Sequence, residues 1–208
     1  MSNNKVTTII LVLTVAVIAS VFLMWGNLSA TEKAAANVAT CPEINIAEMK
    51  TGFQIKQPTL QSLPPNYDLR GAEQYQNGVI LYYADHNLCP NGGNPLEQVT
   101  KGTILVSIDG VANPTTAKEF ADQMITSIRD DKSAKMIPRS VDVNGKIGVG
   151  WEMFEGADII RINNTIVDSH SVPRPAQVTF YDEHDKTEYT IVGMRSMQDL
   201  LTIAKSVP

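Results

Sequence analysis

The sequence is poor in the residues that usually announce chemistry. It has three histidines and two cysteines in 208 residues. Two cysteines cannot fill a four-thiolate zinc site, and no C-x-x-C pair is present to serve as a redox couple. A nucleophile elbow, an H-E-x-x-H helix, a Walker loop and a dinucleotide fingerprint are all missing. So is any excess of positive charge: 17 Lys and Arg stand against 22 Asp and Glu, for a net charge of −5. That balance argues against binding nucleic acid through a basic surface and against adhesion to an anionic membrane face. Strands do not alternate with helices, which excludes a parallel βαβ design, and there is no internal repeat or low-complexity tract. The sequence therefore predicts a non-enzymatic protein with no cofactor and no metal centre.

What the chain does have is one long apolar run without a charge, Val6–Trp25. At 1.5 Å of helical rise per residue it matches a hydrocarbon core of about 30 Å. Lys5 is the one charge before it, so the short N-terminal side is expected to stay in the cytoplasm. The run is longer than a typical signal-peptide core, though small residues at Ala30 and Ala36 leave cleavage as the alternative. The predicted organisation is a cytoplasmic tail at residues 1–5 and a transmembrane helix at 6–25. A stalk or linker at 26–42 and an extracytoplasmic α+β domain at 43–208 follow. The protein is thus expected to be single-pass in the cell membrane, with its C-terminal domain outside.

Export gives meaning to the cysteines. Cys41 and Cys89 both fall beyond the span, and in an oxidising compartment they are expected to form a disulfide. Closing a loop of about 49 residues is worth on the order of 4 kcal/mol in the chain-entropy view. Asn27-Leu28-Ser29 and Asn163-Asn164-Thr165 are sequons, which makes Asn27 and Asn163 candidate glycosylation sites.

Along the exported part, Glu43–Phe53 suggests a short helix stopped by Gly52, and Pro64-Pro65 an extended lead-in to Tyr67. Asp68–Tyr75 and Val79–Ala84 flank Asn77-Gly78, a hairpin signal of the type I′ kind. His86–Gly102 reads as a long polar connection and Thr103–Ile108 as a strand. Ala117–Arg129 is the clearest soluble helix, with a Thr116/Glu119 capping box and an apolar stripe. Asn144-Gly145 marks a second hairpin between Val141–Val143 and Lys146–Glu152, and Ala157–Ile162 a further strand. Asn163–Pro175 reads as irregular. Ala176–Tyr181 and Glu188–Val192 are expected to pair, with Val178 and Phe180 meeting Ile191 and Tyr189. Ser196 caps a last helix. The sum is about seven strands with helices, an α+β domain built on a curved, mostly antiparallel sheet with its helices against one face.

The candidates for chemistry are thin. His86, His170 and His184 each sit near carboxylates, the setting of a metal ligand, but they are scattered singly. Asp168-Ser169-His170-Ser171 sets triad-type residues side by side, whereas triads assemble from separate segments. Asp182–Asp185 lacks the order of a calcium loop, and Asn91–Asn94 lacks the strand-to-helix setting of a phosphate cradle.

Three patches carry a resemblance. Thr51–Leu69 has Gly52-Phe53, Pro58 and the pattern Leu63-Pro64-x-x-Tyr67. Val141–Glu152 contains the turn Val141-Asp142-Val143-Asn144-Gly145. Glu188–Val207 has Tyr189-x-Ile191-x-Gly193, then Ser196 and Leu200-Leu201-x-Ile203-Ala204-Lys205-Ser206. In these stretches the chain resembles an envelope domain family of unknown function, related in shape to the lipoprotein-carrier class. That class includes the carrier of outer-membrane lipoproteins and an envelope-stress regulator. The resemblance implies a half-barrel sheet wrapped on helices, with an apolar concavity, on the outer side of a single-span membrane protein. It transfers no catalytic residue, and the loop carrying Cys89 and the Asn163–Pro175 segment depart from it as insertions.

The expected function is that of a membrane-anchored extracytoplasmic binding domain. Its ligand would be a lipid or other hydrophobic molecule, a lipidated protein or a membrane protein complex. Tyr83, Trp151 and Phe180 are the candidate ligand platform. One alternative is an accessory or structural subunit of a larger membrane assembly. The other is a metal-binding protein or hydrolase that uses the loop histidines.

Overall fold

In a computed structural model of the chain the described residues are 45–88, 95–112, 116–131, 135–162 and 165–208. The Val6–Trp25 span, the 26–42 stalk, the Cys41–Cys89 pair, the sequon residues Asn27 and Asn163, and the Asn91–Asn94 turn lie outside them. Among the described residues no helix is long and apolar enough to cross a membrane.

Among the described residues nine strands and three α-helices follow in order. They are β1 Asp68–Tyr75, β2 Gly78–Ala84, α1 Pro95–Thr100, β3 Ile104–Gly110 and α2 Ala117–Asp130. Then come β4 Arg139–Val143, β5 Lys146–Trp151, β6 Phe154–Ile162, β7 Thr165–Arg174, β8 Ala176–Asp182, β9 Thr187–Gly193 and α3 Met197–Lys205. Seven strands form one sheet in the order β1-β2-β3-β9-β8-β5-β4, with every pairing antiparallel. The sheet does not close, since β1 and β4 are its two edges. The fold is the expected α+β class. β6 and β7 pair with each other as a separate two-stranded ribbon.

The alternation of side chains decides what each face packs against. Val79, Leu81, Tyr83, Ile104, Val106, Ile108, Val178, Phe180, Tyr189 and Ile191 point to one face and form the main core with Leu200, Ile203 and Ala204 of α3. The cross-strand pairs Val178↔Ile191 and Phe180↔Tyr189 stand as expected. On the other face, Tyr82, Leu105 and Val192 pack with Val99 of α1. Val149 and Trp151 pack there with Ala121 of α2. Helices therefore cover both faces, a correction to the expected one-sided arrangement. The two helices expected from the sequence lie on opposite faces, α2 over Val149 and Trp151 and α3 over the main core. α1 joins α2: it is a helix inside the stretch expected to be a polar connection, its Val99 is completely buried, and Pro95 suits a first helical turn.

Capping works as the sequence predicts. The Thr116 hydroxyl accepts from the Glu119 N–H at 3.1 Å, and the Glu119 carboxylate accepts from the Thr116 N–H at 3.1 Å. The Ser196 hydroxyl accepts from the Asp199 N–H at 3.1 Å. At the far end of α3, the Asn144 side chain donates to the Lys205 carbonyl at 2.7 Å, closing one of the open helix-end acceptors. Asn144 and Gly145 have φ of +54° and +84°, as a type I′ turn requires.

Two further expectations are corrected. The described part of the Glu43–Phe53 stretch, residues 45–53, holds a single 3-10 turn, Ile46–Glu48, instead of a helix. Packing overrides local propensity there, because Ile46, Met49, Phe53 and Ile55 are laid against the core and Lys50 is tied to Gln74 by two hydrogen bonds. The stretch expected to be irregular forms β7 over Thr165–Arg174. Pro173 stands opposite Glu155 near the base of the ribbon, where a strand with one free edge tolerates a missing N–H.

Candidate functional site

The face that carries α1 and α2 also carries a polar corner. Side chains on it line up across the sheet in rows set by register. One row runs Glu73, Ile80, Ser107, Thr190, Thr179. The next runs Tyr75, Gly78, Asp109, Glu188, Tyr181. Asp109 and Glu188 are thus directly opposite on neighbouring strands, an arrangement that destabilises when both are charged. Each keeps part of its surface open to solvent.

The hairpin at β1–β2 explains how the corner is built. Tyr75 pairs with Gly78, so the turn is made by Gln76 and Asn77, and neither Asn77 nor Gly78 has a positive φ. The expected type I′ turn at Asn77-Gly78 is therefore not formed. Gly78 is instead a strand residue whose missing side chain leaves room for Tyr75. A Cβ there would lie 2.5 Å from Tyr75 Cζ and 2.6 Å from Asp109 Oδ1. The Tyr75 ring crosses this gap, and its hydroxyl reaches Asp109 Oδ1 and lies 2.9 Å from Ser107 Oγ. Ser107 Oγ donates to Asp109 Oδ2 at 2.9 Å.

Glu188 has one hydroxyl partner, Thr190, at 3.4 Å. Thr190 in turn touches Thr179 at 3.1 Å, which accepts from the Gln177 amide at 2.8 Å. Among the described residues neither carboxyl has a cationic partner within ion-pair distance. Burial pushes the Glu188 carboxyl up to about 7, with the Asp109 charge adding to it. Burial also raises Asp109, against the hydrogen bonds of Tyr75 and Ser107. Tyr75 is raised by burial and then by Asp109. A recessed, proton-retaining carboxyl pair ringed by hydroxyls can hold a proton, or accept a cationic or hydroxyl-bearing group.

The sequence-predicted residues lie elsewhere. Tyr83 and Phe180 are 1% and 2% exposed in the main core, on the opposite face. Phe180 stacks on Tyr189 with ring centroids 5.0 Å apart, and the Tyr83 hydroxyl donates to Gln57 at 3.3 Å. Trp151 is buried under α2 on the polar-corner side. The three side chains do not form a common platform. His86 pairs with its neighbour Asp85 and His184 with its neighbour Asp185, each at 2.8 Å, while His170 sits in the ribbon opposite Asp158. The structure does not gather them: no group of three His, Cys, Asp or Glu among the described residues is placed to hold a metal.

Sequence reasoning also missed a second charge cluster, at the β8–β9 turn. Asp182, with its side chain 4% exposed, accepts from Lys146 at 2.9 Å and Lys56 at 3.4 Å, and Lys56 also pairs with Asp185. Burial works to raise Asp182, but the Lys146 bond and charge and the Lys56 charge hold it below the usual carboxylate range. These charges are mutually compensated and tie the lead-in segment to the sheet. The cluster is a brace, and the uncompensated Asp109–Glu188 pair is the better candidate for function. No family model, curated protein or solved structure matches the chain.

Proposed function

We propose that the chain is a single-pass membrane protein whose exported domain binds a protein partner in the same membrane. Val6–Trp25 serves as the anchor and fixes the domain close to the outer surface, where even a weak contact is favoured by high effective concentration. The half-barrel form implied by the family resemblance belongs to this reading, and the open sheet with α3 against one face is compatible with it.

The observation that carries the proposal is the Asp109–Glu188 pair. Two carboxyls in direct register, on a reachable part of the sheet and without a cation among the described residues, are a local conflict of the kind found where a surface meets something else. A partner's Lys or Arg placed over the corner removes the conflict. The apolar positions Tyr83, Phe180 and Trp151 are taken up by packing, which favours a protein partner over a lipid chain held inside the sheet. The test is native mass spectrometry of the full chain extracted from its own membrane in mild detergent. A protein adduct that Glu188→Lys removes is the expected result. A bare chain, or a lipid adduct alone, overturns the proposal.

A further inference from the structure

The Tyr75, Ser107 and Asp109 oxygens form a triangle: Tyr75 to Asp109 Oδ1, Tyr75 to Ser107, and Ser107 to Asp109 Oδ2. Each hydroxyl brings one proton and an ionised carboxyl brings none. Two protons cannot serve three contacts. A proton on Asp109 Oδ1 completes the ring: Asp109 donates to Tyr75, Tyr75 to Ser107, and Ser107 back to Asp109 Oδ2. The group directly across the strand is another carboxyl, Glu188, so the same proton also removes a like-charge repulsion.

We infer that a proton held at the Asp109–Glu188 pair latches Tyr75 across Gly78, and that loss of this proton to solvent releases the latch. With the proton held, the ring is closed and the corner carries one negative charge. With it lost, the ring is one bond short, two carboxylates face each other, and the corner carries two negative charges.

The groups that face the pair from each strand are consistent with this. β1 contributes Tyr75, β3 contributes Ser107, β9 contributes Thr190, and β8 contributes Tyr181 opposite Glu188. The charge acting on Glu188 is Asp109, and the charges acting on Tyr75 are Asp109 and Glu188. Both carboxyls are shifted in the direction that retains a proton. The Asp109 charge acts on Glu188, so loss of the proton from one carboxyl makes loss from the other harder. The latch is a property of the isolated chain and needs no partner. If the partner reading also holds, a cationic group on the corner expels the proton, and the complex tightens as pH rises.

The experiment uses the full chain in detergent micelles between pH 5 and pH 8.5. The carboxyl carbon resonances of Asp109 and Glu188, assigned with Asp109→Asn and Glu188→Gln, are followed by NMR. At least one is expected to titrate near neutrality, and the Tyr75 ring resonances to shift with the same midpoint. The unfolding equilibrium constant of the wild type is expected to rise on the order of a hundredfold over this range, and that of the Asp109→Asn/Glu188→Gln double variant to stay flat. Two carboxyls titrating in the ordinary carboxylate range overturn the inference, as does a Tyr75 signal that ignores the transition. Should the double variant not fold, the wild-type resonances decide alone. Absence of a partner in the mass spectrometry experiment bears on the function and leaves the latch standing.

Discussion

Replacing Gly78 with alanine asks whether Tyr75 is held across the strand. A methyl group at 78 would lie 2.5 Å from Tyr75 Cζ and 2.6 Å from Asp109 Oδ1. The ring cannot slide aside while its hydroxyl stays on Ser107 and Asp109, so it has to leave. That forfeits the bond to the carboxyl, worth about 1.5–3 kcal/mol, and the bond to Ser107, worth about 1 kcal/mol. Alanine recovers about 0.5–1 kcal/mol through the backbone entropy that glycine loses in a strand. Tyr75 is 37% exposed, so the apolar burial at stake is small. The expected net loss is about 2 kcal/mol, a fall of roughly 4–8 °C in thermal midpoint for a domain of this size. Thermal unfolding of the full chain in detergent, read by the fluorescence of buried Trp151, measures it. The decisive arm is a double-mutant cycle. In a Tyr75→Ala background the methyl has nothing to displace, and Gly78→Ala is expected to be neutral or to stabilise by up to about 1 kcal/mol. The same loss in both backgrounds would refute the reasoning.

Other outcomes follow from the same geometry. Asp182→Asn weakens the bonds to Lys146 and Lys56. Because both lysines are partly exposed, the cost at pH 7 is about 2 kcal/mol, below the range for a fully buried pair, as read from urea midpoints. Asp182 is held low in the folded state, so its contribution is present above the ordinary carboxylate range and is lost as pH falls through its folded value. Asp182→Asn should therefore flatten this part of the acid transition. Asn144→Ala removes the short polar side chain that makes φ +54° tolerable for a residue other than glycine and uncaps the Lys205 carbonyl, for about 2 kcal/mol. Asn144→Gly keeps the turn and loses only the side-chain bond, so it is expected to cost about half as much in the same unfolding assay.

Local signals in the sequence were dependable where the structure they encode is itself local. The Thr116/Glu119 box, the Ser196 cap and the Asn144-Gly145 turn each concern a few neighbouring residues, and each forms as expected. Asn77-Gly78 shows the limit. The dipeptide marks a hairpin correctly, but Gly78 is glycine because a ring passes over it, and that requires knowing where Tyr75 points. The β7 strand was hidden by Pro173 within it and Pro175 just after it; the cost of a strand proline vanishes at a free edge. The carboxyl pair was hidden more deeply. Asp109 and Glu188 meet only because β3 pairs with β9, a long-range choice of neighbour and register that composition and periodicity do not encode. An alternating strand with an acid at its end looks the same in the sequence whether it faces solvent or a second acid.

The strand order has a consequence for how the domain comes into being. β9 is the last of the described strands and lies at the centre of the sheet, between β3 and β8. The meander β1-β2-β3 and the group β8-β5-β4 meet through it alone. As the chain is made from its N-terminal side the first of these can form early, yet it exposes the whole β3 edge until residues 187–193 arrive. Assembly is therefore governed by residues 187–193: a nascent chain halted before Thr187 holds two unjoined half-sheets, and its β3 edge is a ready target for chaperones and quality-control proteases.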